Sequence, residues 1–336
     1  MASQSDIKNR PSTLSQTIQT IEFIVKDIPE EKAHLLGKKV IGVVSEIGKF
    51  IDLTNLYGIT IAINYGDALK DLDLGSKILS PESYTNTDGI TGIAKAVTVV
   101  RNDRPYTYLV FNAQYLFPLI EEKEDSSDMN FTLGLIAHEC AHVQLNAEKR
   151  FLPEFKLGAS IKDYKHKMAL GIAEICWDEY AACLISSSFI NTEKAHHIST
   201  TLTAIETAHE KANQAIFAYR IHGSLNTLIT EAGEAIIAPL RMISYLFGDI
   251  DSSYIFNEKD ISWSDIEDVH QKFIEKEYFI FADKLWVELR KLWETRKKWE
   301  SVLVFKNIED IVSDIFESIG ITFTLQYDGQ YYIGVL

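Results

Sequence analysis

The chain has 336 residues, a length that admits one or two domains. Its 46% hydrophobic and 24% charged residues are ordinary for a globular protein and exclude a wholly disordered or fibrous chain. A net charge of −15 argues against binding to nucleic acid or to an anionic membrane, and 3 cysteines are too few for a disulfide framework and indicate a reducing compartment. The first residues, MASQSDIKNRPSTLSQ, lack the basic-then-apolar order of a signal peptide. No apolar run approaches the roughly 20 residues that cross a bilayer, so the expectation is a soluble, cytoplasmic protein.

Taken in chain order, residues 12–27 read as a first helix, with Ile18, Ile21 and Ile24 at helical spacing and Ser12 or Thr13 as cap. A second helix follows Pro29, with Glu30 and Glu31 in its first turn. The β-branched run Gly58–Asn64 predicts a strand, and residues 66–92 look like loop. Ile93–Val100 and Tyr106–Phe111 are strand-like, and the turn residues Asn102–Pro105 between them predict an antiparallel hairpin. Beyond Asp128 the pattern is helical: 131–150, 168–187, 191–219, shorter stretches over 225–247, a long one over 263–299, and 308–319. Asp328-Gly329 between alternating residues predicts a C-terminal β-hairpin. The expected fold class is α+β: a small antiparallel or mixed sheet packed on the helix 131–150, then a large helical region and the hairpin. The expected organisation is N-terminal helices over 1–54, a core over 55–190 and a mainly helical region over 191–336.

The segment carrying chemistry is His138-Glu139-Cys140-Ala141-His142. Two histidines four apart on a helix differ by about 40° and project side by side, so both can reach one zinc ion. Glu139 flanks them at about 60° from His142, where it would take a proton from a zinc-held water. Cys140 points about 200° away and reads as core. An open catalytic site needs a third protein ligand, and the metzincin continuation fails because Leu145 and Glu148 stand where Gly and His belong. In Ala173–Ala182, Glu174 and Asp178 share a helix face. Glu174 is the expected third ligand, and Asp178 the acceptor for the far nitrogen of a ligating histidine. Glu179 lies about 140° round from Glu174, so the two cannot both face the metal. One zinc per chain is expected.

The strand 106–111, Asn112, Phe131-Thr132 before the HECAH motif, and Glu174-x-x-Trp-Asp-x-Tyr-Ala-Ala together resemble the ImmA/IrrE-type metallopeptidases and, in their order, the wider gluzincin group. The resemblance covers roughly residues 55–187. It implies a zinc-dependent endopeptidase, often one that cuts a partner repressor, with His138, His142 and Glu174 as ligands and Glu139 as base. The chain departs from that family at Cys140-Ala141, where a glycine is common, and at Asn146, where histidine is frequent.

Peptide hydrolysis also needs a donor for the developing oxyanion. His222, Arg241 and Tyr245 are candidates that nothing local separates, and His222 is carried forward. The strand leading to Asn112 and Ala113 is a candidate for pairing with an extended substrate, the alternative being an ordinary sheet strand. The paired His196-His197 and His209 are expected to be solvated, Cys176 and Cys183 to be core. The basic residues of 284–299, Arg290 and Arg296 among them, are expected to be a solvated face. The expected function is hydrolysis of a peptide bond in a specific protein or peptide, such as a cognate repressor, with no nucleic acid and no membrane as partner. Two other readings remain: a catalytically silent zinc-binding sensor module, and an exopeptidase on small peptides.

Overall fold

A computed structural model describes residues 21–81, 86–87, 90–121, 126–187, 189, 194–255, 262–276 and 278–336, with side chains left aside at 86–87, 90, 194–196 and 253–255. The fold is α+β, as expected. Among the described residues the chain forms two compact units, one of 21–158 with 185–189 and the other of 159–184 with 194–336.

In the first unit, strands β1 (Glu22–Lys26), β2 (Leu56–Ala62), β3 (Ala94–Arg101) and β4 (Arg104–Asn112) form one mixed sheet in the order β1-β2-β4-β3. β1 overturns the expected first helix over its residues 22–26, while 12–20 lie outside the described residues. Phe23-Ile24-Val25 are strand formers. They pair in parallel with β2 from Glu22↔Gly58 to Lys26↔Ala62, and that non-local pairing overrides the local helical spacing. Asp27 then turns the chain at φ 62° into helix α1 (Glu30–Ile47), which follows Pro29 as the sequence predicts and buries Leu36, Val40, Val44 and Ile47 along one stripe.

The β3–β4 hairpin closes through Asn102 and Asp103 at φ 49° and 60°, the left-handed pair of a type I′ turn. Gly58 is required in β2, because a Cβ there would lie 2.4 Å from the Tyr108 ring. Within the residues expected to be loop, Tyr65–Lys70 forms a short helix. Helix α2 (Ser127–Lys149) carries the HECAH motif and is capped by the Ser126 hydroxyl, which accepts from Met129 N at 3.1 Å. It is tied to β4 at both ends. Thr132 Oγ1 donates to Tyr115 O (2.8 Å) just beyond the strand, and the Arg150 guanidinium donates to Pro105 O and Tyr106 O (3.1 Å each) near the strand's start.

The second unit is built from α3 (Tyr164–Ser186), α4 (Lys194–His222), α5 (Leu225–Ile255), α6 (Phe279–Thr295) and α7 (Lys306–Ser318), ending in the expected hairpin β5 (Ile321–Leu325) and β6 (Tyr331–Val335). α4 and α5 form a helical hairpin that turns at Gly223, φ 68°. Where short stretches were expected over 225–247, α5 is one helix that runs through Pro239 to Ile255. The long stretch expected over 263–299 is instead broken. A 3₁₀ turn at Trp263–Ile266 and a short helix at Glu267–Phe273 precede α6, and the break lets Trp263 pack against Phe247, Phe273, Phe279 and Trp286. Among the described residues no helix is long and apolar enough to cross a membrane.

The polar centre of this unit is Asp251, 3% exposed. It accepts from Tyr180 Oη (2.7 Å), Trp286 Nε1 (3.0 Å) and Arg290 Nη2 (2.6 Å) and Nε (3.0 Å). The expected solvated basic face is thus corrected at Arg290, which pairs with a buried carboxylate, and at Arg296, whose guanidinium sits 3.6 Å from the Trp293 ring centroid.

Candidate metal centre

The two turns of α2 that carry the motif put Ala137, Cys140 and Ala141 in the core at 0% exposure and leave His138 and His142 half-buried. Their rings stand edge to face at an interplanar angle of 84°, and their Nε2 atoms approach to 3.1 Å. Two nitrogens bound to one zinc at 2.0–2.1 Å in tetrahedral geometry stand about 3.3 Å apart, so the imidazole pair already spans one edge of such a site. Glu139, next to the first histidine, is 6% exposed. Burial likewise pushes the Cys140 thiol far above its ordinary value, in keeping with its expected core role.

The third member is Glu179. Ligand atoms of His138, His142 and Glu179 all lie within 4.8 Å of one another, so this group could hold a metal ion. A His₂Glu donor set is the one found in catalytic zinc peptidases. The expected ligand Glu174 is not in the group. It lies half-buried five residues earlier on the same helix, about 140° round the axis from Glu179. Asp178 is half-buried beside Glu179.

On α5, in the same unit as Glu179, burial first and then the charge of the Glu179 carboxylate push the Tyr245 hydroxyl well above its ordinary value. His222 is exposed at the end of α4, where its Nδ1 accepts from Ser224 N at 2.9 Å.

His197 is half-buried, not solvated as expected. Its Nδ1 bonds to the 3%-exposed carboxylate of Asp249, and its ring lies 5.7 Å from that of Tyr245. The side chain of His196 lies outside the described residues. Cys176 and Cys183 are buried, as expected, and burial pushes Cys176 up to about 12.

The expected substrate strand is corrected too. β4 is an inner strand, paired with β2 on one side and β3 on the other up to Asn112 and Phe111. Asn112 N donates to Ile93 O, and its side chain accepts from Gln114 N at 3.1 Å. Ala113 is 0% exposed. The strand's hydrogen-bonding groups are therefore spent within the sheet.

Compared with known proteins, the chain matches no family model, no curated protein and no solved structure.

Proposed function

We propose that this chain is a zinc-dependent metallopeptidase that hydrolyses a peptide bond, with His138, His142 and Glu179 as ligands and Glu139 as general base. The observation that carries the reading is that His138, His142 and Glu179 each offer a ligand atom within 4.8 Å of the others, the two Nε2 atoms standing 3.1 Å apart. Zinc held there would polarise a scissile carbonyl and acidify a water. Glu139, low in exposure and next in sequence to a ligand, would take the proton from that water and return it to the leaving amine. β3, one of the sheet's two outer strands with β1, is the candidate for pairing with an extended peptide, since β4 is enclosed. The motif resemblance adds a single intracellular protein, such as a repressor, as the natural substrate.

Metal analysis tests this directly. Wild type and Glu174→Ala are expected to hold one zinc per chain, and His142→Ala and Glu179→Ala little. Wild type purified with zinc and dialysed free of excess, yet holding none, would end the proposal. Full occupancy in Glu179→Ala would remove Glu179 from it.

A further inference from the structure

In the first unit, the face of α2 that carries the two histidines continues toward the helix N-terminus as an apolar one. Phe131 precedes His138 by seven residues and His142 by eleven. It therefore lies about 20° from each, midway between them, and about 10.5 Å before His138 along the axis. Leu135 shares that face, half-buried, about 40° round from Phe131. Phe131 is 44% exposed and Tyr115 36%. Their ring centroids stand 6.2 Å apart with the planes at 51°, within the range of an attractive aromatic pair. Two hydrogen bonds place Tyr115 there. The Asn112 side chain accepts from Gln114 N at 3.1 Å and caps the 3₁₀ turn Ala113–Tyr115, and the buried Thr132 hydroxyl donates to Tyr115 O at 2.8 Å. Scattered exposed apolar residues are ordinary, but here two rings are tied together and set in line with the imidazoles.

We propose that Phe131 and Tyr115 form a specificity subsite that takes a large apolar side chain of the substrate, about three residues from the scissile bond. The inference deepens the peptidase reading and rests on it. An extended peptide advances about 3.3 Å per residue, so the roughly 10.5 Å between His138 and Phe131 along the helix is spanned by about three residues. Two exposed rings offer apolar area and no ionised group. They gain from covering an aromatic or branched aliphatic side chain and would strip water from a carboxylate without pairing it.

The zinc-loaded full chain tests it. A pool of synthetic peptides would be digested and the scissile bonds located by mass spectrometry. One cleaved sequence would then be remade with Phe, Leu, Ala or Asp in turn at each position within about four residues of that bond. For wild type, kcat/KM is expected to be at least about tenfold higher for Phe or Leu than for Ala at one position about three residues away, with Asp poorest. In Phe131→Ala and in Tyr115→Ala the Phe-to-Ala ratio should fall to within about twofold, with zinc content still one per chain. A wild type indifferent to all these positions, one that prefers Asp, or a preference that survives in either variant would overturn the subsite alone. So would equal losses on the Phe and Ala peptides, which would make the pair a packing element. A wild type that holds zinc and cleaves nothing in the pool would instead overturn the peptidase reading on which the subsite rests.

Discussion

Asp251 offers the largest stability effect that the structure allows to be worked out. Its carboxylate is buried and takes hydrogen bonds from Tyr180, Trp286 and Arg290, the last through two guanidinium nitrogens. Asp251→Ala deletes the acceptor and leaves an indole N–H, a phenol and a guanidinium facing a void. Removing one partner of a buried ion pair costs about 3–5 kcal/mol. Arg290 keeps a third of its side chain in solvent, with 32% exposed, so water recovers part of its hydration and the lower end applies, about 3 kcal/mol.

Tyr180→Phe removes one hydrogen bond to a charged group and leaves the ion pair intact, so about 1.5–2 kcal/mol is expected. All five tryptophans of the chain, Trp177, Trp263, Trp286, Trp293 and Trp299, lie in the second unit. Denaturant unfolding followed by tryptophan emission therefore reports that unit without assuming that the whole chain unfolds in one step. A loss below about 1 kcal/mol for Asp251→Ala, or a larger loss for Tyr180→Phe than for Asp251→Ala, would refute the assignment of Asp251 as the buried hub.

Three further outcomes are expected. Gly248→Ala puts a methyl 2.4 Å from Tyr180 O and should cost about 1–3 kcal/mol by overpacking, read as a lowered midpoint in the same unfolding assay; a neutral result would mean that α5 and α3 part easily. Glu139→Gln should keep its zinc by metal analysis while hydrolysis of a quenched casein substrate falls by about 10²–10⁴; cleavage at the wild-type rate would remove Glu139 as base. Asp163 is held below its ordinary value of 3.8, first by the His166 backbone N–H and also by the Tyr331 hydroxyl. A carboxylate with a lowered folded pKa contributes stability that is full above its unfolded value and lost as pH falls through the folded one. Asp163→Asn should accordingly show a shallower loss of stability below about pH 4 than wild type, measured by unfolding at stepped pH.

What the sequence made legible was what is encoded locally. The β3–β4 hairpin follows from Asn102 and Asp103, which accept left-handed backbone. α1 follows from Pro29 with two glutamates behind it, and α2 from the helical pattern of 131–150, whose cap at Ser126 only the structure shows. β1 was not legible, because the helical spacing of Ile18, Ile21 and Ile24 is a local signal, whereas the strand Glu22–Lys26 exists through parallel pairing with residues 58–62. The enclosure of β4 was equally hidden: the pattern of 106–111 shows a strand, and only the sheet order shows that both of its edges are taken. Helix α5 hid its length at Pro239, whose local effect is to interrupt a helix, but whose flanks here, Ile236, Leu240 and Ile243, are buried at 0% and keep the helix in place.

The candidate site divides in the same way. His138, Glu139 and His142 are fixed relative to one another by the geometry of a single helix, so spacing alone suffices. Choosing between Glu174 and Glu179 requires knowing which way α3 faces, and its own sequence does not say. Ala173, Cys176, Trp177, Tyr180, Ala181, Ala182, Cys183 and Leu184 are all buried at 3% or less and run most of the way round the helix, so no apolar stripe marks an inner face. The orientation is set instead by Asp251, 71 positions downstream of Tyr180, and by the close approach of Gly248. The one local hint is the run of small residues Ala181-Ala182-Cys183, which permits such an approach without naming the helix that makes it. Within its own unit, rotating α3 by the 140° that separates the two glutamates would require breaking the Tyr180–Asp251 bond, so which glutamate α3 presents depends on a helix outside the region that carries the motif.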